Sequence, residues 1–392
     1  MLNTPFSPWP SFTAQEADAV RNVLLSNKVN YWTGTECHEF EKEFAAWAGT
    51  HHAVALGNGT LALDVALKAL GIGPGDEVVV TPRTFIASIS CVVNAAAAPV
   101  FADVEADSGK LSAVTIARAL TPKTKAIICV HLAGWPCDMD AIMALAETHG
   151  LKVIEDCAQA HGAQYKGRSV GSIGHVGAWS FCQDKIMTTG GEGGMVTTND
   201  EVLWRAMWSF KDHGKSYAAV YEREHAPGFR WLHESFGTNW RMLEMQAVIG
   251  RIQLQRMAGW TATRTRYAEQ IWAACRSHSA LHVPEVPANV QHAHYKCYAY
   301  VRPEQLAAGW NRDRIVAAIN ALGVPCYQGS CSEVYMEKAF DGTGWRPAAP
   351  LPTAHALGTT SVMFLVHPTL TQAEVDTTCT AIAQVMQQAT AA

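Results

Sequence analysis

The chain has 392 residues, 48% of them hydrophobic and 17% charged, with a formal net charge of -5 at neutral pH. This composition suits a globular protein with ample core material, either roughly two to three domain-sized units or one large α/β domain plus a smaller one. It carries no basic footprint for nucleic acid, and no uninterrupted apolar run approaches the ~20 residues that span a bilayer, so neither nucleic acid nor membrane is an expected partner.

Eleven cysteines are scattered through the chain, many in apolar runs such as Ile127-Ile128-Cys129-Val130, with no CxxC pair. They read as buried free thiols of a reducing compartment rather than as a disulfide framework. The first residues, Met1 to Pro8, lack the basic and apolar regions of a signal peptide, which gives a cytoplasmic expectation.

From about residue 50 to 200, short β-rich runs alternate with helical patterns. Val78–Val80, Pro99–Ala102, Ala126–Val130 and Lys152–Ile154 read as strands buried on both faces. Thr60–Leu70, Leu111–Leu120 and Met139–His149 read as helices between them. Such alternation predicts an α/β fold, a mostly parallel sheet flanked by helices. Asn239–Ala258 reads as a long amphipathic helix, Thr261–His278 as a second one, and a Pro-rich stretch follows around Val283–Pro287. Tyr295–Val301, Arg312–Leu322 and Gln372–Gln388 then predict a smaller C-terminal α+β domain. The expected division is a large domain with its N-terminal segment over 1–250 and a small domain over 251–392.

Four motifs carry chemistry. Gly57-Asn58-Gly59-Thr60 opens the helical run from Leu61, where unpaired N–H groups at the positive end of a helix dipole suit a phosphate. Thr60 either caps that helix or offers its hydroxyl to the phosphate. Thr81–Ser88 follows a strand and contains Phe85, a ring that either stacks on a flat heteroaromatic or packs in the core. In Val153–Gly162, Asp156 ends a buried strand at the sheet edge where ligands of parallel sheets bind, with Gln159 and His161 just beyond. Asp156 either pairs with a pyridine nitrogen or caps the next helix. In Ala178–Gly194, Ser180 is followed by Lys185 and a glycine-rich turn, where a lysine would hold pyridoxal phosphate (PLP) as a Schiff base. No close His/Cys/Asp spacing points to a metal. The sixteen histidines read as structural by default, with His161 a candidate support for its neighbours.

The segments 57–88, 99–104, 153–163, 178–200 and 238–250 occur in this order. Together they resemble the DegT/StrS family of PLP-dependent sugar-nucleotide aminotransferases, which have the aspartate-aminotransferase-like fold (fold-type I). The likeness runs from about residue 30 to the His367–Thr371 segment. It implies that Lys185 forms the Schiff base, Asp156 meets the ring nitrogen, Gln159 the phenolic oxygen and Phe85 the ring face. It also implies that Gly59, Thr60, Leu61 (through its backbone N–H) and Ser180 surround the phosphate, with Asn239 of a neighbouring subunit reaching it, so that the site needs a homodimer.

The implied reaction moves an amino group from an amino acid, by resemblance L-glutamate, to a nucleotide-linked keto-deoxysugar. Such sugars are built into O-antigens and other polysaccharides. Rival readings are a PLP-dependent sugar dehydratase, some of which carry histidine in place of Lys185, and a non-catalytic regulatory member. Two departures from the family pattern concern the substrate. Arg83 stands where a small or neutral residue is usual, either to meet a substrate anion or to form a structural ion pair. The segment 323–331, with Tyr327, replaces a His-containing stretch near the sugar; Tyr327 and His161 are further candidates for substrate contact.

Overall fold

The computed structural model describes residues 6–390. In chain order its strands are β1 His52–Leu56, β2 Glu77–Val80, β3 Ala98–Phe101, β4 Thr124–Val130, β5 Lys152–Asp156, β6 Gln164–Tyr165 and β7 Arg168–Ser169. They continue with β8 Val176–Ser180, β9 Gly194–Thr198, β10 Leu281–His282, β11 Val290–Gln291, β12 Cys297–Val301, β13 Cys326–Tyr327 and β14 Ser361–Phe364.

Seven strands form the main sheet in the order β1-β9-β8-β5-β4-β2-β3. The neighbours from β3 through β2, β4 and β5 to β8 run parallel, whereas β8–β9 and β9–β1 run antiparallel. The mostly parallel sheet expected from the sequence is therefore present, with an antiparallel edge added where the glycine-rich turn after Lys185 sends the chain straight back as β9. Successive strand residues point to opposite faces, and here both faces are buried. Val78, Val80, Ile128 and Ile154 pack on one side, and Val79, Ile127, Cys129 and Val153 on the other. That explains why these strands read as unbroken apolar runs.

The region expected to hold two helices, Asn239–Ala258 and Thr261–His278, contains one, Glu244–Arg276, of 33 residues. Residues before it run extended, with Asn239 bridged to Asp212 and Arg241 to Leu56. No proline interrupts the span. Gly259, where the gap was read, costs only about 1 kcal/mol in a helix, too little to break it. The helix runs through the expected boundary at 250. Ala247, Leu254 and Met257 belong to the large-domain core, and Tyr267, Ala268, Ile271 and Trp272 to the small-domain core.

The small domain is an antiparallel sheet, β10-β12-β14-β13, with the helices Arg312–Ala321 and Gln372–Ala389 contributing Ile315, Ile319, Val375 and Ile382 to its core. Sequence order and domain membership interleave. Val334, Tyr335 and Phe340 return to the large-domain core, and β11 pairs with β6. The N-terminal segment crosses the other way: Ser7 donates to the Glu374 carboxylate, and Thr369 Oγ1 donates to the Pro8 carbonyl.

All eleven cysteines are free. No helix among the described residues is long and apolar enough to cross a membrane.

Gly177, in the middle of β8, marks a place where the sheet admits no side chain. A Cβ there would lie 2.5 Å from both Gly171 Cα and Thr197 Oγ1. Gly177→Ala should destabilise the fold by about 1–3 kcal/mol, the usual range for an overpacked core, read as a lower urea midpoint with an unchanged m-value.

Candidate active site

At the C-terminal ends of β5 and β8 a cavity of about 980 Å³ opens between the large domain and the small one. This is the edge where open parallel sheets bind ligands. Gly59, Thr60, Phe85, Asp156, Gln159, Ser180, Lys185 and Tyr327 all line it. Sequence positions more than 260 residues apart thus converge on one space. Leu61, Arg83, His161 and Asn239 are not on its surface.

The helix Gly59–Ala69 begins against the ends of β8 and β9. Asn58 is its N-cap, its Oδ1 accepting the Leu61 N–H at 3.0 Å. The cap bears on two expectations. Thr60 is not the cap, so its hydroxyl is left for the cavity. The Leu61 N–H, which the resemblance directs to a phosphate, here donates to Asn58, as the third N–H of a helix does to its N-cap side chain. The donors of the first turn that remain are those of Gly59 and Thr60. A Cβ on Gly59 would sit 2.5 Å from Ser180 Cβ, and one on Gly194 would collide with the Asn58 carbonyl. Glycine at both positions leaves a bare backbone cradle beside the Ser180 hydroxyl.

Asp156 is buried. Its Oδ2 accepts from Ser88 Oγ at 2.7 Å and its Oδ1 from the Ala158 N–H at 3.1 Å. Ser88 spends its one proton on the carboxylate, so Thr84 Oγ1, 2.8 Å away, is the donor to Ser88. This chain of hydroxyls holds Asp156 as an acceptor with lone pairs still free. Gln159 Oε1 accepts the Ala133 N–H at 2.8 Å, which fixes the amide and leaves its NH2 as the free donor. Phe85 is 68% exposed, and its ring borders the cavity instead of packing in the core.

Lys185 sits in a turn after β8, its N–H bonded to the Cys182 carbonyl and its own carbonyl accepting from Trp9 Nε1 at 2.8 Å. Its Nζ lies 5.4 Å from the Tyr295 ring centroid. Tyr295 donates its hydroxyl to Asp184, whose carboxyl is held below its usual range by Lys185, the Tyr295 hydrogen bond and Lys296 against the opposing effect of burial. Burial, with Arg264 and Lys185 nearby, lowers the Lys296 amine to about 8 although Asp184 opposes the shift. His161 lies beneath this floor, fully buried against Trp179 and Phe181, with no partner for either ring nitrogen. Burial, then Lys185 and Arg264, drive it down to about 3. It is a packing ring that does not line the cavity.

Arg83 is buried too, and Nη1 donates to the Tyr300 hydroxyl at 3.3 Å. Among the described residues no carboxylate pairs with it, so the structural ion pair is not formed. The sequence motifs did not single out Thr84, Ser88, Asp184, Tyr295 or Lys296 as site residues. Thr84 and Ser88 beside Phe85, and Asp184 beside Lys185, were local signals, whereas Tyr295 and Lys296 meet the site only through the fold.

Potential metal ligands cluster at His131, Glu155 and Cys157. The ring is already committed there. Nδ1 accepts the Cys137 N–H at 3.0 Å, so Nε2 carries the proton and donates to Glu155 at 2.9 Å.

The cavity's donor set fits pyridoxal phosphate. A side-chain-free helix start with two hydroxyls suits the phosphate, a carboxylate fixed as acceptor suits the ring N–H, an amide NH2 suits the phenolic oxygen, and an open ring suits the face.

The family model for the DegT/DnrJ/EryC1/StrS aminotransferase family matches residues 10–383. The chain is 38% identical to GDP-perosamine synthase of Caulobacter vibrioides over 384 residues, 96% of this chain and 97% of the relative. It is also 38% identical to the spore coat polysaccharide biosynthesis protein SpsC of Bacillus subtilis over 310 residues, 79% of this chain and 78% of the relative. Its fold matches the X-ray structure of the aminotransferase from Psychrobacter cryohalolentis with a TM-score of 0.97 and 68% identity, covering 98% of this chain and 99% of that one. With its lysine, aspartate and glycine cradle gathered in one cavity, this chain belongs to the DegT/DnrJ/EryC1/StrS aminotransferase family.

Proposed function

We propose that this protein transfers an amino group from L-glutamate to a keto group on a nucleotide-linked deoxysugar, with pyridoxal phosphate as cofactor. The observation that carries the reading is the convergence of Lys185, Asp156, Gln159, Phe85 and the Gly59–Thr60 turn on one cavity that also reaches Tyr327 and Ser330 of the small domain. The relative named GDP-perosamine synthase supports a nucleotide sugar as acceptor. The relative named for spore coat polysaccharide biosynthesis supports a product built into a polysaccharide. Free thiols throughout agree with a cytoplasmic site of action.

When bound, the cofactor supplies an aldehyde carbon for Lys185 and a ring that withdraws electrons from the reacting carbon. The protein does the rest. Asp156 would hold the proton on the ring nitrogen, its carboxylate being oriented as an acceptor by Ser88 and Ala158. The N–H groups of Gly59 and Thr60, with the hydroxyls of Thr60 and Ser180, hold the phosphate. Gln159 presents its NH2, and Phe85 covers one ring face. Once free of the cofactor, Lys185 Nζ would take the proton from the donor's α-carbon as general base and deliver it, as general acid, to the cofactor's exocyclic carbon. A lysine at this position argues for amino transfer over dehydration by those relatives that carry histidine there.

The active unit in this reading is a homodimer. Asn239 is exposed and absent from its own chain's cavity. It follows a segment with Phe229, Trp231 and Phe236 at 78%, 81% and 100% exposure, a surface of the kind that a partner covers. Asn239 of one protomer then completes the phosphate site of the other.

Two measurements test this. Lys185→Ala should leave no more than trace transaminase activity, and wild-type protein loaded with glutamate should lose its pyridoxamine absorbance on adding the right member of a panel of nucleotide-linked keto-sugars. Failure with the whole panel counts against the acceptor class. For the shared site, equal amounts of inactive Lys185→Ala and impaired Asn239→Ala protein should regain about a quarter of wild-type activity after subunit exchange, since statistically half the dimers are hybrids with one intact site each. No recovery in verified hybrids would place Asn239 in its own chain's site or in none.

A further inference from the structure

Two amines flank one ring on the small-domain side of the cavity. Lys185 Nζ lies 5.4 Å and Lys296 Nζ 4.7 Å from the centroid of Tyr295. The ring's hydroxyl is already spent on Asp184, and Asp184 is the carboxylate that both amines feel. Two cations therefore share one anion. Behind them Arg264 is fully buried with Nε and Nη2 unpaired, so nothing on that side relieves the excess. The Lys296 amine has no hydrogen-bond or ion-pair partner among the described residues, yet it borders the cavity. A desolvated cation without a partner is unfavourable unless an anion joins it.

The position says which anion. In the amino-transfer reading, on which this inference rests, Lys185 must reach the α-carbon of the amino donor. The donor's α-carboxylate is one bond from that carbon, so it comes to rest close to Lys185. Lys296 is the unpaired cation sharing a ring with Lys185. We propose that Lys296 anchors the α-carboxylate of the amino donor, which makes it a donor-binding residue and not part of the nucleotide-sugar site. A carboxylate or phosphate of the acceptor would offer the same chemistry, and the two sources separate by experiment.

The test uses full-length enzyme loaded with pyridoxal phosphate, as Lys296→Met, Lys296→Gln and Lys296→Arg, each checked for cofactor absorbance. The first two remove the charge by different shapes, and the third keeps it. Half-saturating concentrations of L-glutamate and of L-glutamine are read from the donor half-reaction. Binding of α-methyl-L-glutamate, which has no α-proton to lose, is read as an absorbance change without turnover. The keto-sugar is titrated separately against enzyme loaded with pyridoxamine phosphate.

Removing the charge should raise all three donor-side values at least about tenfold, the loss expected for one charge-assisted hydrogen bond. Lys296→Arg should recover most of that loss, and the keto-sugar value should stay put. A rise for L-glutamate and α-methyl-L-glutamate but not for L-glutamine would assign Lys296 to the side-chain carboxylate, a rise confined to the keto-sugar would assign it to the acceptor, and no rise would leave it no anion; each overturns the proposal. Wild-type enzyme that reacts with neither donor would instead remove the amino-transfer reading itself.

Discussion

The site depends on a contact between backbones. The helix Gly59–Ala69 starts so close to β8 and β9 that neither Gly59 nor Gly194 has room for a methyl group. That closeness puts the first-turn N–H groups beside Ser180 and keeps the positive end of the helix free of side chains. It also brings Lys185, five residues beyond Ser180, to the same place. With a Cβ at either glycine, helix and sheet would separate, and the phosphate cradle and the lysine turn would no longer share one floor. Asn58 refines the arrangement by capping the helix from outside, taking the Leu61 N–H and leaving those of Gly59 and Thr60.

Above that floor, most polar groups are held through partners that never face the cavity. Ser88 and Thr84 orient Asp156, the Ala133 N–H orients Gln159, and Tyr295 is tied to Asp184. Each functional group has one side engaged by the protein and the other side open. Preorganisation of this kind means that binding does not have to spend energy on ordering the groups that receive the ligand. His161 shows the opposite principle. Its nearness in sequence to Gln159 suggested a share in the chemistry, but burial without partners makes it neutral filling beneath Phe181 and Trp179.

Much of this was legible in the sequence because a glycine-rich turn, a strand-end aspartate and a lysine before a second glycine-rich turn are local signals. Each lies within a few residues of the element that positions it. The strands were legible for the same reason, being apolar on both faces. What escaped depends on distance or on continuity. Nothing near Asn58 announces that it, and not Thr60, would cap the helix, since both are capping residues within three positions of Leu61. Tyr295 and Lys296 acquire meaning only when the small domain folds back over residues 110 positions earlier. The single helix Glu244–Arg276 was read as two because a glycine and polar residues interrupt its apolar pattern, just where its buried face passes from one core to the other.

That passage between cores gives weight to the N-terminal segment. Trp9 donates its indole N–H to the carbonyl of Lys185, while Ser7 and Pro8 are fastened to Glu374 and Thr369 of the small domain. Trp9 also meets Trp260 edge-on and stacks against His367. A few residues outside both sheets therefore act as a tendon from the small domain to the peptide that carries the reactive amine. The peptide that carries the amine is thereby anchored to the small domain as well as to β8. Losing the Trp9 indole would remove that anchor from the peptide carrying the reactive amine.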